Sequence, residues 1–180
     1  MQLPLVMTII GPDRTGLVES VARTVVDHGG NWLESRMCHL GGEFAGILRV
    51  EISEAKKAAL VEALQKLQQN GLQIVVRQDK PLSVSVSSPA SGCQTKLEIV
   101  GADRPGIVRE IASALARAGV NVEEFSSEIV SAPMSGEPMF KAFARLQLPE
   151  GCDLGALKAG LEKIAADLLV DVSLGEVVGK

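Results

Sequence analysis

Residues 11–32 (GPDRTGLVESVARTVVDHGGNW) lie over residues 101–122 (GADRPGIVREIASALARAGVNV) at a constant offset of 90 residues, without a gap. Eight of these 22 positions are identical: Gly11/Gly101, Asp13/Asp103, Arg14/Arg104, Gly16/Gly106, Val18/Val108, Ala22/Ala112, Gly29/Gly119 and Asn31/Asn121. Four more exchange one bulky apolar residue for another: Leu17/Ile107, Val21/Ile111, Val25/Leu115 and Trp32/Val122. Chance supplies about one or two identities at ordinary residue frequencies. The chain is therefore a duplication, and its fold must be one that a single unit of fewer than 100 residues can adopt twice.

Each copy carries the same order of periodicities. Residues 3–10 and 93–100 are short β-prone segments that run into Gly-x-Asp and read as first strands. Leu17, Val18, Val21, Ala22 and Val25 then recur at helical spacing, as do Ile107, Val108, Ile111, Ala112 and Leu115. Gly29 and Gly119 end these helices, since glycine takes the left-handed conformation without penalty, and a second strand follows Asn31 and Asn121. Third strands alternate apolar with polar residues: Phe44, Leu48, Val50 and Ile52 around Arg49 and Glu51, and Phe140, Ala142, Ala144, Leu146 and Leu148 around Lys141, Arg145 and Gln147. The offset has become 96 here, so the second copy holds six extra residues near 131–138, expected in a surface loop. Second helices carry Ala59, Leu60, Ala63, Leu64 and Leu67, or Leu154, Leu157, Leu161, Ile164 and Leu168; residues 74–76 and 170–174 close the units.

The order strand, helix, strand, strand, helix, strand specifies an α+β chain of two tandem ferredoxin-like (βαββαβ) domains. Each is expected to be an antiparallel four-stranded sheet with both helices on one face, since crossovers are right-handed. The other face needs cover from the sister domain, a second chain or water, which makes a homodimer the natural expectation. Boundaries fall at 1–80 and 93–180. Residues 81–92, with Pro81, Pro89, Gly92 and five serines, read as a linker, although Leu82, Val84 and Val86 alternate as a paired strand would.

Composition narrows the function classes. A net charge of −4 and a pI near 5.3 provide no basic field for phosphate backbones or anionic lipid, so neither direct nucleic-acid nor membrane binding is expected. With no Tyr, one Trp and four Phe, the chain also lacks the aromatic and basic strands of an RNA-binding ferredoxin-like module. The amino terminus has no basic leader or spanning apolar run, from which a soluble, cytoplasmic protein is expected. Cys38, Cys93 and Cys152 are odd in number and far apart, so reduced thiols are expected rather than disulfides or zinc. His28 and His39 have no metal-ligand spacing, and no cofactor is expected. The neighbours Cys38 and His39 point to opposite faces of a strand, which spoils a nucleophile and base pair, and no acidic third member is evident.

The Gly-x-Asp-Arg-x-Gly turn, the helix behind it and the Gly-x-Asn after it resemble ACT domains, small amino-acid-binding regulatory modules, over nearly the whole chain. A stand-alone pair of such domains resembles the bacterial glycine cleavage system transcriptional repressor group. That resemblance implies a non-catalytic repressor with glycine as its signal, acting through a protein partner, a DNA-binding transcriptional activator. The alternative is a stand-alone amino-acid-binding regulator of a metabolic enzyme. Formyltetrahydrofolate deformylases carry ACT-like units as well, but the two repeats here consume the length a catalytic domain would need, so no enzyme is expected.

The ligand-binding residues so implied are Asp13, Arg14, Gly16, Leu17 and Asn31 in the first copy, and Asp103, Arg104, Gly106, Ile107 and Asn121 in the second. Their chemistry suits a zwitterion. A helix amino terminus presents unpaired N–H groups to a carboxylate. Gly16 and Gly106 leave that approach clear, Asp13 and Asp103 can meet an ammonium, and Asn31 and Asn121 offer both donor and acceptor. The same residues would equally serve a tight turn, a helix cap and a helix stop, and Arg14 and Arg104 would more commonly be solvated. Thr15 against Pro105 is a departure between the copies: Pro105 suits a first helical position, which would make the second turn the stiffer. Trp32 is expected in core or interface packing, and Phe140 and Phe143 on opposite faces of a strand. Glu123, Glu124, Lys56 and Lys57 are expected as solvated charges, and Met134 and Met139 beside the inserted loop.

Overall fold

The computed structural model describes residues 1–68, 71–79, 93–133 and 136–175. The chain divides into two compact units, Met1–Val84 and Ser85–Lys180. The expected linker, 81–92, and Met134 lie outside the described residues.

The first unit runs β1 (Gln2–Pro12), α1 (Leu17–Asp27), β2 (Asn31–Leu40), β3 (Glu43–Ser53), a short 3-10 turn, α2 (Lys57–Leu67) and β4 (Gln73–Gln78). Its sheet has the order β2-β3-β1-β4 with all neighbours antiparallel. The alternation Leu3, Leu5, Met7, Ile9 puts one face of β1 in the core, and Leu48, Val50 and Ile52 do the same for β3. Leu17, Val21 and Val25 of α1 and Leu60 and Leu64 of α2 recur every fourth residue and cover that face.

The second unit repeats this as β5 (Gln94–Ala102), α3 (Ile107–Arg117), β6 (Asn121–Ser131), β7 (Pro138–Gln147), α4 (Leu154–Leu168) and β8 (Val170–Leu174), with sheet order β6-β7-β5-β8. Its core joins Leu97, Ile99, Ile107, Ile111, Leu115, Ala142, Leu146 and Leu161. Two tandem ferredoxin-like (βαββαβ) domains are thus present. The sheet face away from the helices is exposed at Ile10, Ile47 and Val75 in the first unit; in the second it carries Phe143, with Lys141 Nζ 5.0 Å from the ring centre.

Both first helices stop in the same way. The N–H groups of Gly29 and Gly30 donate to the carbonyls of Val26 and Val25, and those of Gly119 and Val120 to Ala116 and Leu115. The left-handed glycine that the sequence predicts is present at φ 70° and 69°, and the pair of hydrogen bonds around it is a Schellman arrangement.

The hairpins differ where the offset changes. Leu40 pairs with Glu43 across a two-residue Gly41–Gly42 turn, whereas the equivalent Val130 pairs with Met139, so the six extra residues lie between these two. Both glycines of the short turn have positive φ, as a twisted two-residue hairpin requires.

Three expectations need correction. The first strands extend two residues beyond their expected ends, because Gly11 and Pro12 still pair with Phe44 and Glu43, and Gly101 and Ala102 with Phe140 and Met139. Pro105 is not the first helical residue. Gly106, left-handed at φ 101°, is the cap, and α3 begins one position later at Ile107.

Glu123 and Glu124, lastly, are not simply solvated: Arg145 Nη2 lies 2.7 Å from Glu124, and its Nε 3.3 Å from Glu123, which also accepts from Gln94. A β-bulge between Val122 and Glu124 sets two residues of β6 against one of β7, bringing both carboxylates to one guanidinium.

Candidate functional site at the β1–α1 turn

The two glycines of each motif have different physical tasks. A Cβ on Gly11 would stand 2.8 Å from the Gly71 carbonyl oxygen, and one on Gly101 2.6 Å from Val170 Cα, so the first glycine permits the start of the last strand to cross close by. Gly16 and Gly106 instead face open space, with nothing within 4 Å of a Cβ, and are required by their left-handed φ of 88° and 101°. They turn the chain into α1 and α3 and leave the approach to each helix clear.

Neither helix start is capped by a side chain. Asp13 and Asp103 therefore do not cap, and the first intrahelical bonds are made by Ser20 to the Gly16 carbonyl and by Glu110 to that of Gly106. The first-turn amides of Leu17, Val18 and Glu19 precede that ladder and carry the partial positive charge of the helix terminus.

The turn is instead held through its backbone: the Asp13 N–H donates to Gly42 O at 2.9 Å, and the Asp103 N–H to Pro138 O at 3.2 Å. Each turn is thus tied to the start of its β2–β3 or β6–β7 hairpin return.

In the first unit, Asp13, Arg14, Gly16 and Leu17 line an open surface cavity of about 350 Å³, with Val18, Glu19 and Phe44. Asp13 presents its carboxylate half-exposed, 3.7 Å from His39 Nε2. Arg14 and Arg104 are exposed and make no ion pair among the described residues. Glu19 is engaged by Arg23 one helical turn on.

Asn31 and Asn121 are not brought to the turn of their own unit. Asn31 pairs with Glu51 while Gly11 pairs with Phe44, seven residues along β3, which at ~3.3 Å per residue is about 23 Å. Asn121, opposite Gln147, is equally far from Gly101, opposite Phe140.

Sequence reasoning passed over Val18, Glu19 and Phe44, which line the cavity, and His39, which lies beside Asp13 without lining it. Val18 carried one signal in the sequence, its identity with Val108 in the repeat, and the structure leaves it 43% exposed despite its apolar character. Phe44 and His39 face each other across β2 and β3 on the helix side of the sheet, a consequence of register. Cys38, paired with Ala45, points the other way, so the strand does separate it from His39. The acidic neighbour of His39, Asp13, is visible only in the fold.

A larger open groove of about 760 Å³ lies in the second unit between α3 and α4, floored by Ala114, Ala118, Ala156 and Gly160. It flanks the carboxyl end of α3, remote from the turn, and its lining also includes Arg117, Glu150, Asp153, Lys163 and Asp167. Among the described residues no group of three or more His, Cys, Asp or Glu is placed to hold a metal ion, and no helix is long and apolar enough to cross a membrane. The three thiols are free.

Comparison with known proteins places these features. Family models described as ACT domain match residues 4–77 and 95–143. A UPF0237 protein of Methanocaldococcus jannaschii is 32% identical over 78 residues, 42% of this chain and 87% of its own; one from Methanopyrus kandleri is 35% identical over 75 residues, 41% and 77%. The crystal structure of an unknown protein from Galdieria sulphuraria matches 99% of this chain and 100% of its own at 30% identity and a TM-score of 0.82. A structure described as a "putative glycine cleavage system transcriptional repressor" covers 100% of this chain and 99% of its own at 20% identity and a TM-score of 0.67, a likeness of fold.

Proposed function

Since this chain belongs to the ACT-domain family, we propose that it is a non-catalytic regulator that senses a small amino acid and controls transcription of amino-acid metabolism through a protein partner. Glycine, and control of the glycine cleavage system, are suggested by the likeness to the protein described as a repressor of that system. The observation that carries the reading is the cavity at the first turn, which gathers four of the residues singled out for a zwitterion: Asp13, Arg14, Gly16 and Leu17.

In this reading the ligand carboxylate meets the first-turn amides of α1 and the Arg14 guanidinium, and its ammonium meets Asp13. Leu17, Val18 and Phe44 form the apolar wall, which sets the size of side chain admitted. Binding is coupled outward through the Asp13–Gly42 hydrogen bond, because a ligand held by the turn also holds the β2–β3 hairpin. β2 and β6 are edge strands exposed along nearly their whole length. Such unpaired edges suit pairing with a second copy or a partner, and a ligand that binds one arrangement more tightly shifts the population toward it. Asn31 and Asn121, at the far ends of these strands, would enter a site only from a neighbouring unit.

Titration calorimetry of the full chain with each of the twenty amino acids, glycine first, tests the proposal. Saturable binding of one or a few small amino acids is expected. No binding by any of them would sink the sensor reading and leave a protein-interaction module.

A further inference from the structure

The duplication makes the two turns comparable position by position, and their largest chemical difference is across the hairpin. His39 sits opposite Phe44 in the first unit; the equivalent residue of the second, opposite Phe140, is Ile129. His39 Nε2 lies 3.7 Å from Asp13 Oδ2, too long for a hydrogen bond but within ion-pair reach of an imidazolium, and both side chains are about half exposed.

We infer that His39 gates the first turn by charge. As an imidazolium it engages Asp13 and withdraws that carboxylate from the ammonium of an incoming amino acid; as a neutral ring it releases it. The inference rests on the sensor reading above and adds to it a pH response confined to one copy of the site.

The groups facing His39 define the gate. Asp13 comes from the turn, Arg14 and Glu19 line the adjoining cavity, and Phe44 and Met37, the neighbours on β3 and β2, are uncharged. Arg14 stays cationic at every relevant pH, and Glu19 is already engaged by Arg23. Imidazole is the side chain whose charge ordinarily changes between about pH 5 and 8. In the second unit the hydrocarbon of Ile129 can neither compete for Asp103 nor change charge, so that turn serves as an internal control.

The test uses the full chain carrying D103N, which removes the acidic group of the second turn, and calorimetric titration with the tightest-binding of the twenty amino acids. Between about pH 8 and about pH 5.5 the affinity is expected to fall about fivefold, the effect of a competing charge some 4 Å away at a half-exposed site. H39Q and H39I should keep the high-pH affinity within about twofold and lose the pH dependence; any titration of the ligand itself is common to all three proteins. The ring signals of His39 should shift on adding the amino acid, while those of His28, whose Nδ1 lies 2.8 Å from the Thr24 carbonyl at the far end of α1, should stay.

A wild-type-like pH slope in H39Q and H39I, or no slope in the parent, overturns the gate while leaving the sensor reading intact. Binding lost in D103N but kept in D13N places the working site in the second unit and also overturns it. Absence of binding by all twenty amino acids in the unmodified chain overturns both readings.

Discussion

Asp13 donates its backbone N–H to the carbonyl oxygen of Gly42 at 2.9 Å, fastening the turn before α1 to the tip of the β2–β3 hairpin. The bond joins residues 29 positions apart and uses the main chain, leaving the Asp13 carboxylate turned outward.

Replacing that carboxylate should therefore leave the fold alone and strike the ligand. D13N is expected to melt within about 2 °C of the parent, since a half-exposed pair 3.7 Å apart contributes little. Binding at the first turn should weaken at least tenfold, a loss of about 1.4 kcal/mol or more for a charge-assisted contact. Calorimetry of D13N and D103N side by side measures whether each turn binds independently; equal loss from either change would indicate one site shared by both.

The paired glycines should separate stability from function. G11A must accommodate a Cβ 2.8 Å from a backbone oxygen, and G101A one 2.6 Å from a backbone carbon, so each is expected to cost about 1–3 kcal/mol in urea unfolding. G16A meets no neighbour within 4 Å and stores only the strain of a left-handed alanine, about 1–2 kcal/mol. At the first turn G16A should nonetheless weaken amino-acid binding at least as much as G11A does, because it alters the entry to α1 itself.

Helix α4 is capped differently from α1 and α3. Asp153 Oδ1 accepts the Ala156 N–H at 2.9 Å, so D153A should destabilise the second unit by about 1 kcal/mol. D153N should recover most of it. Chemical denaturation followed by circular dichroism checks both, and no change in amino-acid binding at the first turn is expected.

Leu60 of α2 is fully buried, and L60A should cost about 2–5 kcal/mol by leaving a cavity under the first sheet. The second unit has its own core, so hydrogen exchange should accelerate in β1 and β3 well before it does in β5 and β7. Equal acceleration in both sheets would show that the units unfold as one.

Much of this was legible in advance because it is written in consecutive residues. The repeat of 90, the fourfold spacing of Leu17, Val21 and Val25, the alternation of Leu48, Val50 and Ile52, and the glycines that end α1 and α3 are local demands of backbone and solvent. The candidate site was only partly legible. Asp13, Arg14, Gly16 and Leu17 stand together in the chain and remain together in the cavity. Phe44 joins them, His39 comes to lie beside Asp13, and Glu123 and Glu124 converge on Arg145, through cross-strand register and a bulge that no local pattern encodes.

The sequence by itself thus determined the duplication, the order of elements and the faces they bury, since each follows from periodicity within a dozen residues. Tertiary structure alone decided what stands before the turn and what does not. Pairing of β1 with β3 brings the hairpin tip to Asp13 and carries Asn31 about 23 Å away, because a strand advances ~3.3 Å per residue and its partner's register fixes which end meets which.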